Sequence, residues 1–181
     1  MERNVMRTEA NLNSEKPLAV IASQLNMDGY NLAKQFAERG YDLIVAASNP
    51  SVVEEAEDFK ELGVDAVSFQ LDLTTAEGVE QLYRRIIATG RPVEAMVINA
   101  NLSSDNNIEK SLAKKILKDM TLRGQGKILF AGNDLKEDVS EISESLQDEV
   151  RGSGVTVTSI KAGSSEIFFL KNGYEDPYII H

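Results

Sequence analysis

From Leu18 onward, short apolar runs alternate with longer stretches whose apolar residues recur at helical spacing, and this alternation constrains the fold more than any other feature. Six runs read as strands: Leu18 to Ser23, Asp42 to Ala47, Ala66 to Gln70, Ala95 to Asn99, Lys127 to Ala131 and Val155 to Ile160. They are β-rich or continuously apolar, as strands covered on both faces are. Strand, crossover helix, parallel strand, repeated, gives an α/β fold with helices on both sides of a parallel sheet. A chain of 181 residues, 42% of them hydrophobic, is long enough for one sizeable core and too short for two comfortable domains.

The intervening stretches carry helix punctuation. Tyr30 to Arg39 places Leu32, Ala33 and Phe36 on one side and stops at Gly40. Ser51 to Leu62 follows Asn49-Pro50, with Asn or Ser as cap, and stops at Gly63. Thr75 to Thr89 has Thr74 or Thr75 upstream of Glu77, a stripe of Val79, Leu82, Ile86 and Ile87, and a stop at Gly90. Asn107 to Leu122 buries Ile108, Leu112, Ile116, Leu117 and Met120, with Lys110, Lys114 and Lys118 on a wet face. Leu135 to Arg151 buries Val139, Ile142, Leu146 and Val150 and shows Glu137, Glu141, Glu144 and Asp148 outward.

Residues 1–16 read as a flexible polar leader, 17–170 as the α/β domain and 171–181 as a tail, in which Ile167 to Leu170 and Tyr178 to Ile180 are apolar enough to pack on the body or a partner. The leader has no run long enough for a signal peptide or membrane helix. With 29 acidic and 19 basic residues the net charge is -10, which disfavours nucleic acid and anionic membranes as partners. The chain has no cysteine, which removes thiolate catalysis and disulfides and fits a cytoplasmic protein. Its one histidine is the last residue, His181, so neither a histidine triad nor a multi-histidine metal site can be built, and no metal is expected.

Several segments stand in a familiar order. Leu32 to Gly40 followed by Tyr41 to Ala47, then Leu71-Asp72-Leu73, Ile98-Asn99-Ala100-Asn101, Gly126 to Phe130, Gly154 to Thr158 and Ala162-Gly163 together resemble the short-chain dehydrogenase/reductase family from about Pro17 to Phe169. The resemblance implies a Rossmann-like three-layer α/β/α sandwich with strand order 3-2-1-4-5-6 and an NAD(P) cofactor. It also implies that Ser23, Met27, Gly29, Asp72, Asn99 and Ala100 would meet that cofactor.

The departures fall where the chemistry should be. The family's Thr-Gly-x-x-x-Gly-x-Gly loop becomes Ala22 to Gly29, with Ser23 and Met27 in place of two glycines; side chains there oppose close backbone approach to a pyrophosphate. Asp28 adds negative charge where a phosphate would sit, or caps its own helix. The family's proton relay is a serine after the fifth strand, a tyrosine, and a lysine four residues later. Here the serine segment is Ala131 to Asn133, Lys136 stands at the lysine's place and Gly132 at the tyrosine's. The following helix's asparagine could be Asn106, Asn107 or Asp105, and Ala47-Ser48-Asn49 carries neither the acid that favours NAD nor the arginine that favours NADP.

Two expectations follow. One is a degenerate, catalytically silent relative with a binding or regulatory role toward a protein or a small molecule, with no cofactor unless the loop at 23–29 still admits NAD(P). The other is an NAD(P)-dependent oxidoreductase with an atypical site, using Tyr174 or Tyr178, or Lys136 with Asn99 and a water. The basic row Lys110, Lys114, Lys118 and the acidic row Glu137, Glu141, Glu144 lead us to expect a monomer or a salt-sensitive dimer.

Overall fold

Leu18–Ala22 (β1) and Asp42–Ala47 (β2) are buried at every position, which makes them inner strands of a sheet covered on both faces. The computed structural model describes residues 16–22, 27–99, 107–132, 137–161, 170–171 and 174–175. The remaining strands of the sheet are Ala66–Gln70 (β3), Val93–Asn99 (β4), Gly126–Gly132 (β5) and Val155–Lys161 (β6), all parallel in the order β3-β2-β1-β4-β5-β6. This is the Rossmann-like order that the sequence led us to expect. Leu170–Lys171 (β7) and Tyr174–Glu175 (β8) form a separate antiparallel pair in the tail, where no period was legible.

The helices are Met27–Glu38 (α1), Val52–Lys60 (α2), Ala76–Ala88 (α3), Asn107–Arg123 (α4) and Glu137–Glu149 (α5). One apolar cluster joins the sheet to α3, α4 and α5, and a second joins its other face to α1 and α2. Phe36 and Phe59 are fully buried in the second, and Phe130, Leu82 and Leu112 in the first. Burial of such side chains, roughly 1.5–3 kcal/mol each, is the main force holding the layers together.

Three details differ from the sequence reading. α1 opens at Met27 rather than Tyr30, so the end of the supposed loop is the helix's first turn. Ile87 is 52% exposed because it follows Ile86, which is buried, by about 100° around α3 and so leaves the stripe. Glu109, by contrast, is buried on α4, three residues before buried Leu112 and on the same stripe.

Local chemistry fixes the ends. Thr75 Oγ1 accepts from Gly78 N at 3.0 Å and caps α3 as expected. Gly78 is required there: a Cβ would lie 1.7 Å from the Asp72 carbonyl oxygen. At the opposite end of the sheet Gly154, at φ +87°, packs on Gly124, whose carbonyl oxygen would be 2.1 Å from an added Cβ. Gln147 of α5 covers part of β6: its Oε1 accepts from Val157 N at 2.7 Å and its Nε2 donates to Val155 O at 3.4 Å.

Candidate functional site

A sheet of this order reverses direction between β1 and β4, and the crevice beyond the carboxyl ends of the strands at that switch point is where such folds bind ligands. The register aligns Ala22 of β1 with Ile98 of β4, and Asn99 with Ala131 of β5. Asn99, the last residue of β4, therefore lies on the strand next to the segment that the resemblance matches to the serine. Gly132, at the tyrosine's place, ends β5 opposite Lys161 of β6.

The expected cofactor residues are distributed unevenly around this crevice. Met27 and Gly29 lie in the first turn of α1, and Asn99 ends β4. Ser23, Ala100 and Lys136 lie outside the described residues, as do Asn106, Asp105 and Tyr178. Asn107 is the first residue of α4, and Tyr174 opens β8.

Asp72 is the candidate with the most local detail. It lies in the exposed turn from β3 to α3, and its Oδ1 accepts from Thr74 N at 3.0 Å and from the Thr74 hydroxyl. The Thr74 hydroxyl, then its backbone N–H, hold the Asp72 carboxyl below its ordinary pKa. Its carbonyl oxygen accepts from the Thr75 hydroxyl at 3.0 Å. Both ends of Asp72 thus build the turn that starts α3. On the same side of the sheet, Leu71 N donates to Ala47 O at 2.9 Å and Gln70 Nε2 to Ser48 O at 3.3 Å, tying β3's exit to β2's.

A second titratable group sits between α1 and α2. The Tyr30 hydroxyl donates to Asp58 Oδ2 at 3.3 Å, and its ring lies 5.1 Å from that of Phe59. Burial, then Asp58, raises the Tyr30 pKa. Burial also raises that of Glu55, whose Oε2 is shielded from water without a hydrogen-bond partner, while the Ser51 hydroxyl at 3.4 Å from Oε1 opposes the shift. Sequence reasoning did not single out Glu55, and nothing in the spacing marks it.

Sequence reasoning also passed over Asp42, Arg91 and Glu109. Asp42 and Glu109 had a legible signal, an acid at the head of an otherwise apolar strand and an acid on an apolar helix stripe. Among the described residues no group of three or more acidic, cysteine or histidine side chains could hold a metal, and no helix is long and apolar enough to cross a membrane.

The scaffold has close relatives in shape. A metagenomic short-chain oxidoreductase solved in complex with NADP superposes with a TM-score of 0.72 at 15% identity, covering 83% of this chain and 84% of that one. The hydroxysteroid dehydrogenase of Escherichia coli superposes with a TM-score of 0.71 at 18% identity, covering 82% and 72%. In sequence, the 3-oxoacyl-(acyl-carrier-protein) reductase FabG of Vibrio cholerae serotype O1 is 24% identical over 187 aligned residues, 86% of this chain and 76% of the relative. The family description short chain dehydrogenase matches residues 28–132, more than half of the chain, which belongs to the short-chain dehydrogenase family and carries its oxidoreductase scaffold.

Proposed function

We propose that this chain is a catalytically silent member of its family, one that keeps the nucleotide-binding architecture and acts in the cytoplasm by binding a protein or a small molecule. The connection after β5 carries the reading. β5 ends at Gly132 and α5 opens at Glu137, so only residues 133–136 separate them. The resemblance asks the end of β5 and this short stretch for a serine, a tyrosine and a lysine, and finds Ala131 to Asn133, Gly132 and Lys136. A glycine carries no group that can give or take the proton.

The sequence of the loop at 23–29 also disfavours a dinucleotide. Ser23 and Met27 bring Cβ atoms to two positions where the family's backbone approaches the pyrophosphate, and Met27 opens α1.

Melting the protein with millimolar NAD, NADH, NADP or NADPH tests the reading, since a ligand at a hundred times its dissociation constant stabilises by about 2.7 kcal/mol. No shift is expected with any of the four; a clear one would show that the loop at 23–29 still admits a dinucleotide. The second reading, an NAD(P)-dependent oxidoreductase with an atypical site, draws on the relatedness to the Vibrio reductase over most of the chain. Turnover of a carbonyl panel, lost in Tyr174→Phe or Tyr178→Phe, would put it first.

Lys110, Lys114 and Lys118 are exposed along α4, and Glu141, Glu144 and Asp148 along α5. Rows of this kind fit a monomer, or a dimer that dissociates as salt screens the pairing. Sizing at low and high salt checks this, and a dimer indifferent to salt would contradict it.

A further inference from the structure

At the opposite end of the sheet from the crevice, the carboxyl-terminal ends of α3 and α4 flank the start of β4 around a cleft of about 470 Å³. That volume lies in the range of sites that hold small ligands. Buried Ile86, Val93, Ile116 and Met120 line it, together with Ile87 and Leu122, which are 52% and 80% exposed. Such a lining suits the apolar body of a ligand, and the charged side chains decide which polar group that body carries.

Three charged side chains line the cleft: Arg91, Asp119 and Arg123. Both arginines are engaged. Arg91 Nη2 lies 3.0 Å from Asp42 Oδ2 and donates to Lys16 O at 2.9 Å. Arg123 Nη1 lies 3.0 Å from Glu94 Oε1, and its Nη2 donates to Val93 O. Each guanidinium has a carboxylate of its own, so the two pairs leave no net positive charge to draw an anion.

Asp119 differs from both. It is half-buried on α4, and among the described residues its carboxylate has no hydrogen bond or ion pair. A basic residue stands four positions away on either side, the spacing at which helical ion pairs form, yet both are turned elsewhere. Lys115 Nζ lies 3.0 Å from Glu80 Oε1 on α3, and Arg123 is held by β4. What remains in the cleft is a negative charge beside Ile116 and Leu122, each three residues away on the same helix face. The carboxyl-terminal ends of α3 and α4 add the negative ends of their dipoles. A cation with an apolar body answers both features, because the body covers the aliphatic side chains and keeps water from the charge pair.

We propose that this cleft is a binding site for a small organic cation, an amine on an aliphatic or aromatic body, whose ammonium group pairs with Asp119 and whose body covers Ile87 and Leu122. The site is separate from the crevice, so it stands or falls independently of the proposed function.

Titration of the intact chain with phenethylamine, followed by amide chemical shifts, tests the site. Phenethyl alcohol supplies the same body without the charge, and phenylpropionate reverses the charge. Phenethylamine should move the signals of residues 86–93 and 116–123 and bind at least about tenfold more tightly than the alcohol. Asp119→Asn should lower the amine's affinity to that of the alcohol and leave the alcohol's unchanged, a split that general damage to the fold would not give. Leu122→Ser should weaken both together. Equal affinities of amine and alcohol, amine binding indifferent to Asp119→Asn, or no binding at millimolar amine would each overturn the proposal. Tighter binding of phenylpropionate would overturn it too, and would assign the cleft to an anion held by the two arginines.

Discussion

The two ends of the sheet are held by contacts of different reach. At the amino end, polar contacts join segments far apart in the chain: Arg91 to Lys16, Arg91 to Asp42, and Asp65 N to Asp42 Oδ1 at 2.9 Å. At the carboxyl end, the described contacts of Asp72, Thr74 and Thr75 span two or three residues, and Leu71 to Ala47 and Gln70 to Ser48 are the longer-range ones there. The family's chemistry belongs to the carboxyl end, and there the resemblance sets Ser23, Met27 and Gly132 against two of the family's glycines and its tyrosine. Substitution can accumulate where contacts are local, since a local turn can be rebuilt without disturbing strand order. The amino end has less freedom around Asp42 and Arg91, whose side chains answer to distant partners.

The sharpest way to break this contrast is at Arg91. Its side chain is 10% exposed and that of Asp42 2%, so Arg91→Ala leaves a buried carboxylate without its guanidinium. A loss of about 3–5 kcal/mol is expected in denaturant titrations. A double variant, Arg91→Met with Asp42→Leu, should recover much of it, because the cost lies mainly in the unpaired charge. A single-variant loss below about 1 kcal/mol would mean that the amino end is not the rigid one.

Gly154→Ala comes next. The new methyl would meet Gly124 O at 2.1 Å on a backbone at φ +87°, and both effects act together. Overpacking and left-handed strain predict a loss of about 3 kcal/mol, read as a shift in the urea midpoint. Gly40→Ala makes the comparison: φ is again +87°, but nothing lies within 4 Å, so only the backbone cost of about 1 kcal/mol should remain.

Strand order, layers and most core residues were legible because they follow from period and punctuation. Leu32, Ala33 and Phe36 are buried as their spacing requires, and Thr75 caps α3 as its place before the stripe implies. Partnerships between distant residues were not legible. Nothing in Arg91, which precedes a proline and a strand, says that it reaches both Asp42 and Lys16; that pairing exists only once β1, β2 and β4 are side by side. The candidate site was half legible. Segment order located the crevice, whereas Asp72 as the builder of a turn required coordinates.

A third prediction concerns Glu55, in the first turn of α2 and so on the carboxyl side. Burial raises its pKa, so the folded state holds the proton more tightly than the unfolded chain. Its contribution is then most favourable below the ordinary carboxyl pKa and is lost as pH rises through the raised folded value. Glu55→Gln should stabilise the protein at pH 7 by up to about 1 kcal/mol, since the unpartnered Oε2 no longer has to stay charged out of water. The gain should fade as pH drops below about 4, where both states are protonated. Melting curves across that range check it; a destabilised variant at pH 7 would show that Glu55 belongs with the strongly coupled groups of the amino end.

The smallest effect, and the one that bears most directly on the crevice, is at Asp72. Here the folded pKa is lowered, so the contribution is complete above the ordinary carboxyl pKa near 4 and is lost as pH falls through the folded value. Wild type and Asp72→Asn should differ slightly in melting temperature at neutral pH and converge in acid. Thr74→Ala should move the Asp72 titration, followed by carboxyl chemical shift, back toward its ordinary value, because the hydroxyl is the leading cause of the shift. If the carboxylate serves only the turn, millimolar adenosine monophosphate should leave that titration unmoved. A shift on adding the nucleotide would place Asp72 in a working adenine site, and the carboxyl end would then have kept part of the binding role that the glycine and tyrosine substitutions argue it has lost.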